Sequence, residues 1–157
     1  MKLSTILYGI VFVSVFWLVL PFSFLTINNL LNYPEISSGL LKISGILLLV
    51  VDVFILLYCS FLFITYGKGT PVPSESPKKL VRNKLYNFTR NPIYIGHILG
   101  ILGIAFIFGK LLLFVYFILF VVLVNCYLIF IEEPKLKKKF GKSYLEYLKK
   151  VKRWGLF

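Results

Sequence analysis

The stretch Arg90-Asn91-Pro92 carries the first residues that could do chemistry. Asparagine is a good N-cap and proline suits the first helical position, so we expect a helix to begin at Pro92. The N–H groups of a first helical turn have no partner within the helix, and beside the Arg90 guanidinium they form a potential anion site. An ordinary helix cap, with an arginine anchored to lipid headgroups, would explain the same residues equally well.

A second candidate is the acid pair Glu132-Glu133, which precedes Pro134. Adjacent carboxylates at the end of an apolar stretch are costly unless paired, and acids at a helix C-terminus oppose the helix dipole. We therefore expect a functional demand for negative charge here, against the alternative of a solvated helix end paired with Lys135 and Lys137. Since the residue before a proline avoids the helical conformation, we also expect the chain to kink at the acids.

The apolar part of the chain contains two further ionisable groups, Asp52 and the single histidine, His97. An acid within a membrane span is a functional candidate by default, although an Asp52 that only fixes helix packing is the simpler explanation. A lone histidine is more often structural, but its titration range permits base chemistry. Gly96 and Gly100 share one helix face, where small residues allow another helix or a ligand to approach closely.

The elements that must position these groups are membrane helices. Hydrophobic residues make up 59% of the 157 residues, whereas soluble domains have about 45–50%. A bilayer crossing takes roughly 20 apolar residues, and the stretches almost free of charge predict four spans at 3–26, 41–66, 92–109 and 111–131. A tight turn joins the last two spans, which predicts a helical hairpin. The expected fold class is all-α, an integral membrane bundle of four helices.

The 18 Lys and Arg residues outnumber the 6 Asp and Glu and lie mainly in the central loop and the tail. Basic loops stay in the cytoplasm, so we expect a multi-pass protein whose termini and central loop face an anionic inner leaflet. The tail from Lys135 to Trp154 has a periodic apolar stripe, which predicts a cytoplasmic amphipathic helix on the membrane surface or folded back over the hairpin. Beside four spans, nucleic acid is a poor explanation of the basic charge. We divide the chain into two N-terminal helices (1–66) and a core of loop, hairpin and tail (67–157).

Several smaller features have simple explanations. The first apolar stretch is too long for a signal peptide and lacks a cleavage site, so we expect a retained span. Cys59 and Cys126 lie within spans and are expected to be buried apolar thiols. A single histidine and the absence of ligand spacing predict no metal site. The helix-breaking glycines and prolines from Gly67 to Pro73 predict a chain reversal at the membrane surface rather than a phosphate-binding loop.

Taken together, the motifs after residue 66 resemble those of a known family. They are, in order, Gly69-Thr70-Pro71, Lys79-Leu80-Val81, Tyr86, Arg90-Asn91-Pro92-x-Tyr94-x-Gly96, Glu132-Glu133-x-x-Leu136-x-x-x-Phe140-Gly141-x-x-Tyr144-x-x-Tyr147 and Arg153-Trp154. This set is similar to the isoprenylcysteine carboxyl methyltransferase and phospholipid methyltransferase group of integral membrane enzymes. The resemblance extends over residues 67–154, whereas the first two spans match only as generic apolar helices.

The resemblance implies methyl transfer from S-adenosylmethionine, held at the cytoplasmic end of the last hairpin. It implies these cofactor contacts: Lys78, Lys79, Leu80, Val81, Tyr86, Arg90, Asn91, Pro92, Ile93, Tyr94 and Glu132. Helix-start N–H groups suit the carboxylate of the cofactor, a glutamate suits its ammonium or ribose hydroxyls, and aromatic faces suit its sulfonium and adenine. If the acceptor is an amine, the candidate bases are Glu133, His97 and Asp52.

Two departures from the family pattern bear on the substrate. Many members have a histidine where this chain has Asn91, which keeps hydrogen-bonding capacity but cannot titrate. The prenylcysteine branch uses an arginine for the substrate carboxylate where this chain has Leu128, which counts against a prenylcysteine substrate. The expected reaction is in-line methyl transfer to a carboxylate or amine on a lipophilic molecule, with catalysis resting on positioning and desolvation.

Two other functions fit the same pattern of spans. One is an NADPH-dependent reductase of unsaturated membrane lipids, although the chain has no clear phosphate motif for the dinucleotide. The other is a non-enzymatic scaffold or lipid-binding protein whose basic tail binds the anionic inner leaflet. The scaffold would tolerate changes at Tyr94 and Glu132, whereas the methyltransferase would not.

Overall fold

The computed structural model describes residues 3–69 and 77–155, which are mostly helical. The first apolar helix comprises Leu3–Val13, a π-helical segment Ser14–Val19, and Leu20–Leu30. The second comprises Gly39–Leu62 and a π-helical segment Phe63–Gly67. A short 3₁₀ helix, Lys84–Asn87, precedes the third apolar helix, Pro92–Phe108. The fourth comprises Leu111–Tyr127, a π-helical segment Leu128–Glu132, and Glu133–Phe140; the tail helix Lys142–Lys150 follows.

The predicted all-α membrane bundle is confirmed, since the described residues contain four apolar helices and no strand. Three of these helices include stretches long and apolar enough to cross a membrane, Gly9–Leu30, Gly39–Gly67 and Leu111–Phe140. The third apolar helix has 17 residues, which corresponds to about 25 Å of length. Part of the predicted reversal, together with the motif pair Thr70-Pro71, lies outside the described residues.

The predictions that the fourth span ends before the acid pair and that Glu133 avoids the helical conformation are wrong. Glu133 has helical backbone angles, φ −58° and ψ −42°, and the fourth helix continues to Phe140 instead of ending at residue 131. The π-helical segment Leu128–Glu132 lies directly before Pro134. A proline in a helix clashes with a carbonyl of the preceding turn, and the wider π turn is one way for a helix to accommodate such a break.

A single amphipathic helix over 135–154 is also wrong, because the chain breaks at Gly141 and the tail helix ends at Lys150. Gly141 has φ +53°, a backbone conformation that favours glycine and stops a helix. Of the two expected positions for the tail, the structure shows the one folded back over the hairpin. Its buried tyrosines and a valine pack against the loop and the end of the fourth helix, in a cluster of Leu80, Leu136, Phe140, Tyr144, Tyr147, Leu148 and Val151.

The second and third helices approach each other closely. A Cβ on Gly45 would lie 2.6 Å from the carbonyl oxygen of Gly103, and a Cβ on Gly103 would lie 2.7 Å from that of Gly45. Small residues are what such a backbone contact requires in a membrane helix pair. Cys59 of the second helix is buried as expected, but Cys126 is exposed because its side of the fourth helix faces away from the bundle.

The short connections meet at one end of the bundle. The N–H of Ile36 donates to the carbonyl of Gly109 (2.7 Å), and the N–H of Leu111 donates to the carbonyl of Pro34 (3.2 Å). Glu35 pairs with Lys110 across this bridge, and the Lys110 ammonium lowers the pKa of the Glu35 carboxyl. These contacts place the loop after the first helix against the turn of the hairpin, at the end opposite the central loop and tail.

Candidate functional site

A cavity of about 590 Å³ lies between the helices at the end where the third helix begins. Every apolar helix contributes to its wall, and the central loop and the tail close it from one side. Most of the lining is apolar or aromatic, with residues from the first helix (Phe12, Phe16), the second (Leu56, Phe63), the loop (Leu80, Val81, Tyr86), the fourth (Phe120, Leu123, Val124) and the chain that follows it (Leu136, Phe140). Such a cavity can hold a lipophilic molecule as well as a polar one at its charged end.

The polar end of the cavity lies where the third helix begins and the fourth helix passes the acids. The Tyr94 hydroxyl donates a hydrogen bond to Oε2 of Glu132, and both residues line the cavity. Arg90, Lys135 and Lys139 also line it, so one carboxylate and three cationic side chains share this end. A buried guanidinium and ammonium groups attract anions, whereas the carboxylate attracts ammonium and hydroxyl groups.

Glu133 points away from the cavity lining and holds two arginines. Its Oε1 accepts a 2.8 Å hydrogen bond from Nε of Arg153 and lies 3.1 Å from Nη1 of Arg90. Glu133 is 8% exposed, so it is a buried charge with paired partners. The hydrogen bond to Glu133 raises the pKa of Arg153, which keeps its guanidinium charged. This carboxylate therefore ties the loop and the tail to the fourth helix.

The start of the third helix is fixed by the tail rather than by a side-chain cap. Asn91 occupies the N-cap position as predicted, but its Nδ2 donates to the carbonyl of Arg153 (3.1 Å) instead of capping the helix. The hydroxyl of Thr89 donates to the same carbonyl (2.8 Å) and accepts from the N–H of Asn91 (3.2 Å). Because the Asn91 side chain is used elsewhere, the first-turn N–H groups are left for another partner.

The tail closes the cavity through two tyrosines and a tryptophan. The Tyr147 hydroxyl donates to the carbonyl of Tyr86 (2.6 Å), and Nε1 of Trp154 donates to Oδ1 of Asn125 (3.1 Å). Tyr144 and Tyr147 line the cavity beside Tyr86. Burial raises the pKa of Tyr86, Tyr144 and Tyr147, so all three hydroxyls stay protonated as hydrogen-bond donors.

The side chains of His97 and Asp52 meet deeper in the bundle, about one and a half helical turns after the start of the third helix at Pro92. His97 lines the cavity, and its Nδ1 lies 3.4 Å from Oδ1 of Asp52. Both side chains are buried, at 9% and 4% exposure. The rings of Phe12 and Trp17 flank the imidazole, with centroid distances of 6.0 and 5.7 Å. The structure therefore brings together the two ionisable groups that the sequence placed in separate spans.

The structure gathers most of the sequence-predicted site residues around one cavity. The lining includes Leu80, Val81, Tyr86, Arg90, Asn91, Ile93, Tyr94, His97 and Glu132. Pro92 is buried at the start of the third helix and is not part of the lining, whereas Lys78 and Lys79 are exposed and also lie outside it. The division at residue 67 stays a prediction, and the cavity takes walls from both parts of the chain. Within residues 3–69 and 77–155, no group of three or more His, Cys, Asp or Glu side chains could hold a metal ion.

Sequence reasoning missed the contribution of the first helix. Phe12 and Phe16 line the cavity, and their four-residue spacing is a signal that could have placed both on one helix face. Tyr144 and Tyr147 were recognised as motif residues but not as cavity residues. Arg153 was recognised as a motif residue, but its connection to Glu133 has no local signal, because its partners lie 20 and more residues away.

A family model described as phospholipid methyltransferase matches residues 68–143, just under half of the chain. No curated protein and no solved structure matches the chain. The matched segment contains the central loop, the hairpin, the acid pair and the start of the tail, which together form the polar end of the cavity. Residues 68–143 are therefore similar to the phospholipid methyltransferase family, and the resemblance predicted from the motifs is confirmed over that segment.

Proposed function

We propose that this protein transfers a methyl group from S-adenosylmethionine to a lipophilic acceptor that enters the cavity from the bilayer. The observation that carries the proposal is the Tyr94–Glu132 contact, which brings two expected cofactor residues from different helices to one cavity end. The family match supports a membrane methyltransferase, and the cavity supplies a polar end and an apolar body for the two reactants.

The residues at the polar end fit the chemistry of the cofactor. Arg90 and the first-turn N–H groups beside Asn91 suit its carboxylate. Glu132 suits its ammonium or ribose hydroxyls, and the aromatic faces of Tyr86 and Tyr94 suit its sulfonium and adenine. Nε of Arg90 is buried without a hydrogen-bond partner among the described residues, so it is available to bind an anionic group of the cofactor.

When bound, the cofactor supplies an activated methyl group whose leaving thioether needs no proton. The protein then has to position the acceptor and exclude water, because methyl transfer depends on alignment and on a desolvated nucleophile. The apolar wall made by Phe12, Phe16 and Val124 would desolvate the acceptor. The tail, closed by Tyr144 and Tyr147, would keep water from the polar end.

Titration of the purified full-length protein in detergent with S-adenosylmethionine tests the proposal. We expect saturable binding that weakens at least tenfold in Glu132→Gln and is unchanged in Glu146→Gln, an exposed carboxylate on the tail. Binding of NADPH in place of S-adenosylmethionine would support the reductase instead. No saturable binding of either molecule would support a scaffold or lipid-binding protein.

We also propose a topology and a set of partners. The cationic cavity end, the central loop and the tail lie together, opposite the bridge between Glu35 and Lys110. Since basic segments stay in the cytoplasm, this end and both termini would face an anionic inner leaflet. The cofactor would then enter from the cytoplasm, and the lipophilic acceptor would enter sideways.

A further inference from the structure

The cavity extends beyond the expected cofactor residues to a second polar group, the imidazole of His97. Tyr94 is three residues from His97, a rise of about 4.5 Å along the helix. At this depth the lining is apolar except for the imidazole, which faces Asp52 at 3.4 Å. Buried ionisable groups in a membrane bundle are costly and therefore mark functional places.

The interface between the second and third helices is shaped around the Asp52 carboxylate. A Cβ on Gly96 would lie 2.8 Å from its Oδ1, and a Cβ on Gly100 would lie 2.8 Å from its Oδ2. The two glycines thus leave room for both oxygens against the third helix. Oδ1 of Asp52 and Nδ1 of His97 are buried and have no hydrogen-bond partner among the described residues, although they lie 3.4 Å apart. A small rotation of the imidazole would therefore let the two atoms form a hydrogen bond.

We propose that His97 accepts the proton of the methyl acceptor and that Asp52 is the residue that positions its imidazole. This inference rests on the proposed methyl transfer and extends it to the substrate class. The acceptor would be an amine or hydroxyl, whose nucleophilic atom carries a proton, and not a carboxylate.

The position of the imidazole supports the role of a base. Nδ1 is the ring nitrogen 3.4 Å from Oδ1 of Asp52, so a proton on Nδ1 would leave the lone pair on Nε2 of a residue that lines the cavity. The acceptor atom forms a bond to the methyl carbon as the carbon–sulfur bond breaks, and sulfur keeps the bonding pair. The acceptor proton passes to Nε2, and the Asp52 carboxylate stabilises the imidazolium.

The groups around His97 suit an amine or hydroxyl acceptor better than a carboxylate. A carboxylic acid has already lost its proton at neutral pH, so a base has nothing to remove from it. Asp52 of the second helix would repel an anion, and the described rings of the first helix that flank the imidazole are those of Phe12 and Trp17. The remaining charged lining residues, Arg90, Glu132, Lys135 and Lys139, belong to the loop or to the end of the fourth helix.

The single histidine permits a direct test without cofactor or substrate. Protein labelled with ¹⁵N-histidine in detergent has one imidazole, so its tautomer can be read from the nitrogen chemical shifts. We expect the Nδ1–H tautomer in the wild type and a loss of that preference in Asp52→Asn, whereas Glu146→Gln leaves the spectrum unchanged. An identical tautomer in wild type and Asp52→Asn would overturn the positioning role.

The activity test uses phosphatidylglycerol vesicles that contain either phosphatidylethanolamine, an amine acceptor, or oleic acid, a carboxylate acceptor. With labelled S-adenosylmethionine we expect label in the amine lipid and none in oleic acid. In His97→Gln, kcat should fall at least about 100-fold, as expected for loss of a general base, while the cofactor Kd stays within about twofold. Asp52→Asn should lower kcat at least about tenfold.

A chemical rescue separates catalysis from packing. His97→Ala leaves a space in the cavity wall, and added imidazole should restore part of kcat if the ring acts as a base. Failure of cofactor binding in the wild type would refute the proposed function itself. Normal cofactor binding with full activity in His97→Gln, or label found in oleic acid, would refute only this inference.

Discussion

Glu132 and Glu133 are neighbours in the chain but have different partners. Consecutive helical residues point about 100° apart, so the two carboxylates cannot share one environment. Glu132 accepts from Tyr94 at the cavity, whereas Glu133 is buried between Arg90 and Arg153. The structure therefore favours Glu133 as the residue that holds the loop and tail in place, rather than as a base.

The first prediction concerns this buried carboxylate. Glu133→Gln removes the shared partner of two arginines, and breaking such a pair should lower the free energy of unfolding by about 3 kcal/mol. The measurement is thermal or denaturant unfolding in detergent, with Glu146→Gln as the control for the same change on an exposed residue. A variant as stable as the wild type but without methyl transfer would restore Glu133 as a catalytic group.

The second prediction concerns the hydroxyl of Tyr94. In Tyr94→Phe the Glu132 carboxylate loses its hydrogen-bond donor. The geometry of the expected cofactor site should change as a result. A lost hydrogen bond to a charged group is worth about 1.5 kcal/mol, so the Kd for S-adenosylmethionine should rise roughly tenfold. Isothermal titration measures it, and Tyr66→Phe, an exposed tyrosine at the end of the second helix, is the matched control. Equal affinities in the two variants would contradict the role given to Tyr94.

Among the elements, the three π-helical segments share one property. Each contributes a side chain to the cavity: Phe16 from Ser14–Val19, Phe63 from Phe63–Gly67 and Glu132 from Leu128–Glu132. A π turn also changes the direction of backbone groups, and the carbonyl of Phe16 accepts a 2.6 Å hydrogen bond from Tyr116. Such turns are frequent at functional sites, and here they direct side chains from three helices to one space.

The third prediction concerns the tail. Tyr147→Phe removes the hydrogen bond to the carbonyl of Tyr86 and should weaken docking of the tail by about 1 kcal/mol. Lys149, Lys150 and Lys152 are exposed already, but release of the tail frees their backbone for the protease, so we expect trypsin to cleave there about fivefold faster. Leu145→Ala changes an exposed position of the same helix and serves as the control.

The same tail should respond to alkaline pH. Burial raises the pKa of Tyr147 above its ordinary value, so docking favours the neutral phenol. Its contribution to docking is complete below about pH 10 and is lost as the pH rises through the raised pKa. Ultraviolet difference absorbance should therefore show late-ionising tyrosines whose titration accompanies tail release. Titration of every tyrosine at the ordinary pKa would contradict the docked arrangement.

At the scale of the whole molecule, the number and position of the apolar helices follow from charge spacing. Composition alone predicts the bundle, and local motifs predict the helix start at Pro92 and the polar end of the cavity. The missing parts depend on contacts between distant residues. Nothing near Arg153 predicts its pairing with Glu133, and Asp52 and His97 each had a simpler explanation until the helix interface placed them together.

The sequence also could not predict how the fourth helix passes Pro134. The local rule that the residue before proline avoids the helical conformation is sound for an α-helix, but it does not allow for a π turn. The helix continues past Pro134 because tertiary contacts stabilise it there. These are the pairing of Glu133 with Arg153 and the packing of Leu136 against the tail. The predicted end of the helix failed because packing outweighed the local preference of Glu133.

The fourth prediction concerns orientation in the membrane. In intact cells a membrane-impermeant maleimide should label Ser38→Cys, at the bridged end, and should not label Glu146→Cys, on the tail. Both variants carry Cys126→Ser, which removes the exposed native thiol, whereas Cys59 is buried. Permeabilised cells should show labelling at both positions. The reverse pattern in intact cells would place the basic end outside.

The π turn beside the acids also limits how this protein can diverge. Leu128, where the prenylcysteine branch has its arginine, is fully buried in a cluster with Ile101 and Phe120 and does not line the cavity. An arginine there would be a buried charge without a partner, which is strongly destabilising. Deleting one residue within Leu128–Glu132 would instead restore α-helical turns and rotate the preceding helix by about 100° relative to Glu132. We therefore expect Leu128→Arg alone to destabilise the protein, and an arginine at this place to be accommodated only together with such a shift of helical register.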